Sequence, residues 1–260
     1  MKWLRSLTLA LALTGQLWGA PAPDQALYEE GKEALAEQKF ARAREVAESM
    51  LKQRNNSYLG LLLMGQVYLY GEGSVPRSYD CFHRAEQALL DQVPEPAYDS
   101  DAWLPYAQIL SEKSQAANQL ERYQEACDLV DTYDRYFTPR RAPIKGFSML
   151  KMGQVDEARA LMLKMLDAPE YQAFRGHTLN TLGNIEFESD NLEKSLGYFL
   201  QIANEAPSSD TDPVYWSNAG ETARDLLRHD EAERYLLRST QNFNQYTYSD
   251  PWCMLAELYA

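Results

Sequence analysis

The sequence predicts an all-α protein built from a tandem series of antiparallel helix pairs, and three observations support this prediction. The composition favours helices, since Leu, Ala and Glu are the commonest residues and β-branched runs are few. Similar residue types recur at a constant spacing: Gly183 and Gly220 are 37 residues apart, and so are Ser195 and Ala232. The Asp-Pro pair at residues 212–213 places a capping carboxylate before a first-turn proline, which is typical of a helix start.

The recurring pattern has a constant internal order of residue types. Residues 179–183 read Leu-x-x-Leu-Gly, and residues 216–223 read Trp-x-x-Ala-Gly-x-x-Ala. This order resembles the tetratricopeptide repeat (TPR), in which a small residue lets two helices approach closely. The resemblance implies a right-handed superhelical array of antiparallel helix hairpins, a TPR-like α-solenoid. The implied repeats lie at about residues 24–57, 58–93, 101–137, 139–169, 176–208 and 213–245, followed by a half-repeat at 250–260.

The second repeat departs from this pattern by an insertion. Residues 70–76 read Tyr-Gly-Glu-Gly-Ser-Val-Pro, which resembles the longer loop of the related Sel-type repeat. A Gly-x-Gly sequence can bind phosphate, but no strand precedes this one and no P-loop pattern is present. We therefore interpret it as a connecting loop.

The third repeat is stretched. Trp103 precedes Ala126 by 23 residues, whereas Trp216 precedes Ala232 by 16. The additional residues correspond to about two helical turns. We therefore expect a long first helix over about residues 101–120, after a break in the preceding Pro-Glu-Pro segment.

The last residues repeat the beginning of a hairpin without its second helix. Residues 252–259 read Trp-x-x-Leu-Ala-x-x-Tyr, and Trp252 follows Trp216 by 36 residues. Repeat arrays normally end in a polar capping helix, whereas this helix is apolar. The first interpretation, which we favour, is that the chain is a piece of a longer array. The second is that the half-repeat packs on the sixth repeat and leaves a face for a partner, including a second copy of the chain.

Residues 1–22 have the pattern of a secretory signal peptide. Lys2 and Arg5 form a basic start, residues 7–13 form an apolar stretch too short to span a bilayer, and small residues follow up to Ala22. We therefore expect a periplasmic or secreted protein. The alternative is an uncleaved anchor or a leading helix, which would be the chain's only contact with a membrane.

Charge and composition exclude several classes of function. The formal net charge is -13 and the pI is about 4.7, so nucleic acid is not an expected partner. Cys81, Cys127 and Cys253 show no C-x-x-C spacing, and we interpret them as core thiols. The histidines lie in different repeats, and no H-E-x-x-H or G-x-S-x-G pattern occurs. We expect no catalytic residue, no metal site and no cofactor.

The resemblance also implies where a partner would bind, because in this family partner segments lie on the concave face formed by the first helices. Counting from the small residue of each first helix selects Phe147 and Lys151 in the fourth repeat, Asn180, Asn184 and Phe187 in the fifth, and Ser217, Glu221 and Arg224 in the sixth. The same count selects Leu150, Glu188 and Asp225.

Two of these residues have a specific expected role. Asn180 and Asn184 are one helical turn apart on one face, so their amides could hold a peptide backbone. The alternative is that both are solvated polar residues. The family's carboxylate clamp needs basic and amide side chains across three repeats, and Lys151, Asn184 and Arg224 form too scattered a set to imply it.

The sequence therefore predicts a non-catalytic scaffold, exported from the cytoplasm, that binds a partner protein or peptide. Envelope assembly, pilus biogenesis and secretion are pathways suggested by analogy with exported proteins of this family. Two alternatives remain open. One is a TPR segment of a longer protein with a further C-terminal domain. The other is an accessory or regulatory subunit of an envelope enzyme complex.

Overall fold

The computed structural model describes residues 23–94, 101–137, 142–205, 213–241 and 251–260. These ranges form helices and connecting turns and contain no strand, which confirms the all-α prediction. None of the helices in these ranges combines the length and apolar character needed to cross a bilayer. The expected signal peptide at 1–22, and most of the Pro-Glu-Pro segment at 94–96, lie outside the described residues and stay predictions.

The chain divides into two compact units between Ile109 and Leu110, inside one helix. The first unit contains α1 (Pro23–Ala36), α2 (Phe40–Gln53), α3 (Tyr58–Gln66) and α4 (Val75–Gln92). Its helices pack in the pairs α1–α2 and α3–α4. The dividing helix is α5 (Trp103–Gln119), which confirms the long helix expected over residues 101–120.

The second unit continues with α6 to α13. Their bounds are α6 (Tyr123–Tyr136), α7 (Ala142–Lys151), α8 (Val155–Leu166), α9 (Arg175–Glu188), α10 (Leu192–Glu205), α11 (Pro213–Asp225), α12 (His229–Thr240) and α13 (Pro251–Tyr259). A short 3-10 helix, Pro169–Phe174, joins α8 to α9. The pairs α7–α8, α9–α10 and α11–α12 form hairpins, and α13 packs against α12 and α11.

The insertion in the second repeat forms a turn between two helices, as interpreted from the sequence. α3 continues into a π-helix at Val67–Gly71, and Gly73 then adopts a φ of +64°. Pro76 lies in the first turn of α4, where its missing N–H costs no helical hydrogen bond. The resemblance of this segment to a Sel-type repeat stays a prediction.

The hairpin turns share one backbone geometry. Residues with positive φ lie between the first and second helices of successive repeats, at Gln38, Gly73, Glu121, Gly153, Asp190 and Leu227. In the fifth and sixth repeats, the residue after the positive-φ position donates its backbone N–H to a carbonyl near the end of the first helix. These bonds run from Asn191 N to Glu186 O (2.8 Å) and from Arg228 N to Ala223 O (2.9 Å). This bond closes the first helix and reverses the chain. A left-handed conformation costs a residue such as Leu227 about 1 kcal/mol, so helix packing overrides local preference there.

Small residues allow the paired helices to approach closely. A Cβ atom at Gly183 would lie 2.4 Å from Phe199 Cε1, and one at Gly220 would lie 2.6 Å from Leu236 Cγ. Both distances are far below van der Waals contact, so a side chain at either position would displace a buried neighbour. Phe199 and Leu236 are themselves almost inaccessible to solvent. The glycines that mark the repeat in the sequence are therefore the points at which α9 meets α10 and α11 meets α12.

The contact at Gly183 predicts a mutational asymmetry within one hairpin. Gly183→Ala should lower the free energy of unfolding by about 1–3 kcal/mol, because its methyl group meets the Phe199 ring. Gly197→Ala is the matched control, since a Cβ there meets nothing within 4 Å. This exposed position in α10 should become more stable by roughly 0.5–1 kcal/mol. Urea unfolding followed by circular dichroism measures both changes, and equal effects would contradict the packing argument.

Candidate functional site

In the second unit, the C-terminal end of α5 together with α7 and α9 surrounds a groove of about 490 Å³. These are the first helices of three successive repeats. We call this space the groove and define it by an apolar wall, Tyr123, Ile144, Phe147 and Phe174, and a polar set, Gln115, Asn118, Gln119 and Asn180.

The apolar wall is presented mainly by α7. Ile144 and Phe147 are three residues apart and therefore lie on one helical face. Gly146 faces the other way, where a Cβ atom would lie 2.4 Å from Met162 Cε. Packing of α7 on α8 thus turns Phe147 towards the groove. Phe174, from the 3-10 helix before α9, completes the wall and contacts the His177 ring edge-on at 6.0 Å.

The polar set consists of amides that can contact a ligand. Gln115, Asn118 and Gln119 share one face of α5, and within the described residues no hydrogen bond engages their side chains. Asn180 Oδ1 accepts a hydrogen bond of 3.0 Å from Asn218 Nδ2, which leaves the amide donors of Asn180 available. An amide offers both a donor and an acceptor, so this set matches the pairing needs of a peptide backbone.

The structure places three of the predicted site residues in the groove, namely Phe147, Lys151 and Asn180. Lys151 Nζ lies 5.4 Å from the centre of the Phe147 ring and forms an ion pair with Glu188. Asn184 and Phe187 are half-buried on α9 and do not line the groove itself. Whether any of these residues binds a partner stays a prediction.

The predicted residues of the sixth repeat lie against α13. Ser217 is 1% exposed, and its hydroxyl donates to Met254 Sδ at 3.6 Å. Arg224 Nη1 donates to Glu257 Oε2 at 3.0 Å. Ser217 and Arg224 therefore support the last helix, whereas half-buried Glu221 lies beside them.

One residue selected by the count faces the core. Leu150 is 2% exposed and packs with Ala158 and Met162 between α7 and α8. The groove position predicted for Leu150 is therefore wrong. The side chain that reaches the groove is the next one, Lys151.

The sequence-based selection missed the contribution of α5. α5 contains no glycine from which to count. The selection rule therefore could not identify Gln115, Asn118 and Gln119. Their spacing of three and four residues places them on one helical face, and this amide-rich stripe was the available signal.

The electrostatic environment of the sixth repeat is acidic. Burial raises the pKa of Glu221, and the nearby carboxylates of Asp225 and Glu257 raise it further, against the opposing effect of Arg224. This carboxyl group lies in a site where its negative charge is incompletely compensated.

A buried carboxylate holds α9 between its neighbours. Glu186 has a side-chain exposure of 1% and accepts hydrogen bonds from Arg159 Nε on α8 (3.0 Å) and Lys194 Nζ on α10 (2.7 Å). Asn191 Nδ2 donates a further bond of 2.9 Å. Burial raises the pKa of Glu186, but the bonds from Lys194, Asn191 and Arg159 outweigh burial and bring the pKa below its ordinary value.

Solved structures share this fold at low sequence identity. PilW, a widely conserved type IV pilus biogenesis factor, aligns with a TM-score of 0.61 and 18% identity, over 91% of this chain and all of that one. TTC0263, a thermophilic TPR protein in Thermus thermophilus, aligns with a TM-score of 0.54 and 17% identity, over 78% and 99% of the chains.

A chain of the APC/C hetero-tetramer Cut9–Hcn1 aligns with a TM-score of 0.60 and 15% identity. The alignment covers 95% of this chain but 44% of that one, so this chain spans less than half of that protein's length. No protein-family model and no curated protein matches the sequence. These likenesses establish the fold, which is a TPR-like array of helix hairpins, and confirm the resemblance predicted from the sequence.

The Glu186 network predicts a pH-dependent contribution to stability. Glu186→Gln should lower the free energy of unfolding at neutral pH by about 2 kcal/mol, because two cations lose a buried counter-charge. Since the pKa of Glu186 is lower in the folded protein, this contribution is full above the unfolded pKa of about 4.3. It is lost as the pH falls through the lower, folded pKa.

Urea unfolding across a pH series measures the difference between the two proteins. The difference should shrink below about pH 4. Glu193→Gln, which removes an exposed partner of Arg228, should change stability much less at every pH. A difference for Glu186→Gln that stays constant into strong acid would contradict this assignment.

Proposed function

We propose that this protein is a non-catalytic scaffold that binds a partner protein or peptide in the groove formed by α5, α7 and α9. The observation that carries the proposal is the combination of an apolar wall with the amides of Gln115, Asn118 and Gln119, which make no side-chain hydrogen bond within the described residues. An extended segment needs both features, since apolar contact supplies affinity and amides pair with its backbone. TPR-like proteins of known structure support an interaction role through their shared fold.

We further propose that the protein acts outside the cytoplasm, in the periplasm or after secretion. The support is the basic start, short apolar stretch and small residues within residues 1–22. Cell fractionation and N-terminal sequencing of the accumulated protein measure this directly. The expected result is a processed chain outside the cytoplasm, and an unprocessed chain confined to the cytoplasm would contradict it.

A second candidate surface lies on α13. Trp252 is 57% exposed and Tyr259 is 64% exposed, so the last helix presents large aromatic side chains to solvent. This observation favours an association through the C-terminal helix, with a partner or with a second copy of the chain. Substitutions in the groove should weaken partner binding if the groove is the binding site, and should leave it unchanged if α13 is the binding site.

The groove proposal predicts that truncating its aromatic wall weakens partner binding. The full chain with an affinity tag would be used to isolate partners from its own host, and the affinity of a purified partner would be measured by calorimetry. Phe147→Ala should weaken binding by about tenfold or more, because a desolvated aromatic contact is typical of an interaction hot spot.

Leu163→Ala is the matched control, because Leu163 is an exposed apolar residue of α8 outside the groove lining. Its affinity should stay within about twofold of the unmodified protein. Circular dichroism would verify that both variants keep their helices. A partner held equally by all three proteins would move the site to another surface, with α13 as the next candidate.

A further inference from the structure

Equivalent positions change their chemistry along the second unit. Phe147, Asn184 and Glu221 each directly follow the glycine of their own first helix, and Glu257 follows Ala256 in the same way. This row runs from an aromatic ring through an amide to two carboxylates. A segment lying across these helices would meet apolar surface at one end and negative charge at the other.

A hydrogen bond joins the groove to the charged end of this row. Asn180 on α9 lines the groove and bonds at 3.0 Å to Asn218 on α11. Glu221 follows Asn218 by three residues, which places it about 5 Å further along the same helix. We call Glu221, Asp225 and Glu257 the acidic end.

The acidic end carries more negative charge than the described part of the chain neutralises. Among the described residues, the guanidinium of Arg224 pairs with its carboxylates, at 3.0 Å from Glu257, 3.2 Å from Asp225 and 3.9 Å from Glu221. Three carboxylates against one cation leave two uncompensated negative charges.

The two lysines of α7 are paired with other carboxylates. Lys151 pairs with Glu188, and Lys145 pairs with Asp131 on α6 at 2.6 Å. Neither cation therefore neutralises the acidic end. Burial is the main cause of the raised pKa of Glu221, Arg224 opposes it, and the carboxylates of Asp225 and Glu257 add to it.

We propose that the groove selects an extended partner segment in which a large apolar side chain is accompanied by Lys or Arg. The apolar side chain packs against Ile144, Phe147 and Phe174, and the basic side chain reaches the acidic end. The Asn180–Asn218 hydrogen bond links the groove helix α9 to α11, which carries part of the acidic end, so one extended segment lying across both helices would meet the two surfaces. This inference rests on the proposed function and adds the charge of the partner to it.

The same charges disfavour an acidic partner segment. A ligand carboxylate at the acidic end would meet three like charges around a guanidinium that they already engage. Such juxtaposition reduces affinity and provides selection against wrong partners.

A random linear peptide library displayed on phage tests the inference with the full chain as the immobilised target. The acidic-end variant carries Asp225→Asn and Glu257→Gln, which keep side-chain size and remove two charges. The matched control carries Glu157→Gln and Asp167→Asn, exposed acidic residues on or next to α8 that do not line the groove. Phe147→Ala identifies the peptides that use the groove.

We expect groove-dependent peptides to combine a large apolar residue with an enriched Lys or Arg. Their affinity should fall by about tenfold in the acidic-end variant and remain nearly unchanged in the charge-matched control. Raised salt should weaken the same peptides in the unmodified protein.

Each other outcome overturns a specific statement. Groove-dependent peptides without basic residues, or with acidic ones, would overturn the charge preference and leave the groove function standing. Basic enrichment that survives in the acidic-end variant would reflect attraction to the net charge of the whole chain and would also overturn it. If no retained peptide depends on Phe147, both this inference and the groove function are wrong.

Discussion

In the hairpins α7–α8, α9–α10 and α11–α12 of the second unit, a glycine of the first helix contacts a large apolar side chain of the second helix. The rest of this unit depends on that contact. At Gly183 and Gly220, a Cβ atom would overlap Phe199 or Leu236. The missing side chain allows the helix axes to approach, and the ring or branched side chain then fills the space. The left-handed turn residues, including Asp190 and Leu227, follow from this arrangement because the chain must reverse within a few residues.

The same contact also orients the surface of the first helices. A residue that follows a core-facing glycine stands on another side of the helix, as Phe147 does after Gly146. Packing in the core and the surface of the groove are therefore coupled through neighbouring residues. A side chain at Gly146 would displace Met162 in the core, and the resulting shift of the helix would move Phe147 in the groove. The buried Glu186 network adds to this coupling by holding α9 between α8 and α10.

The fold could be predicted because its determinants are local in the sequence. Glycine spacing and the recurring order of residue types were sufficient to predict the hairpin pattern, and the long α5 followed from one enlarged interval. The lining of the candidate groove was predictable only in part. Phe147, Lys151 and Asn180 were found by counting from glycines, whereas the amides of α5 have no such marker.

The remaining differences come from contacts between residues distant in the sequence. Arg224 is engaged by Glu257, and Ser217 is covered by Met254, because α13 packs beside α11. Neither contact follows from the pattern of one repeat. Leu150 was misplaced for a different reason, since a shift of one residue on a helix rotates a side chain from the groove to the core.

Site-specific photo-crosslinking tests the central claim most directly. A benzophenone amino acid would be placed at Ile144, in the groove wall, or at Leu163, on the exposed side of α8. If a partner binds in the groove, irradiation in the native host traps it from position 144 and traps none from position 163. Trapping from 163 alone, or from a probe at Trp252 but not from 144, would contradict a binding site in the groove.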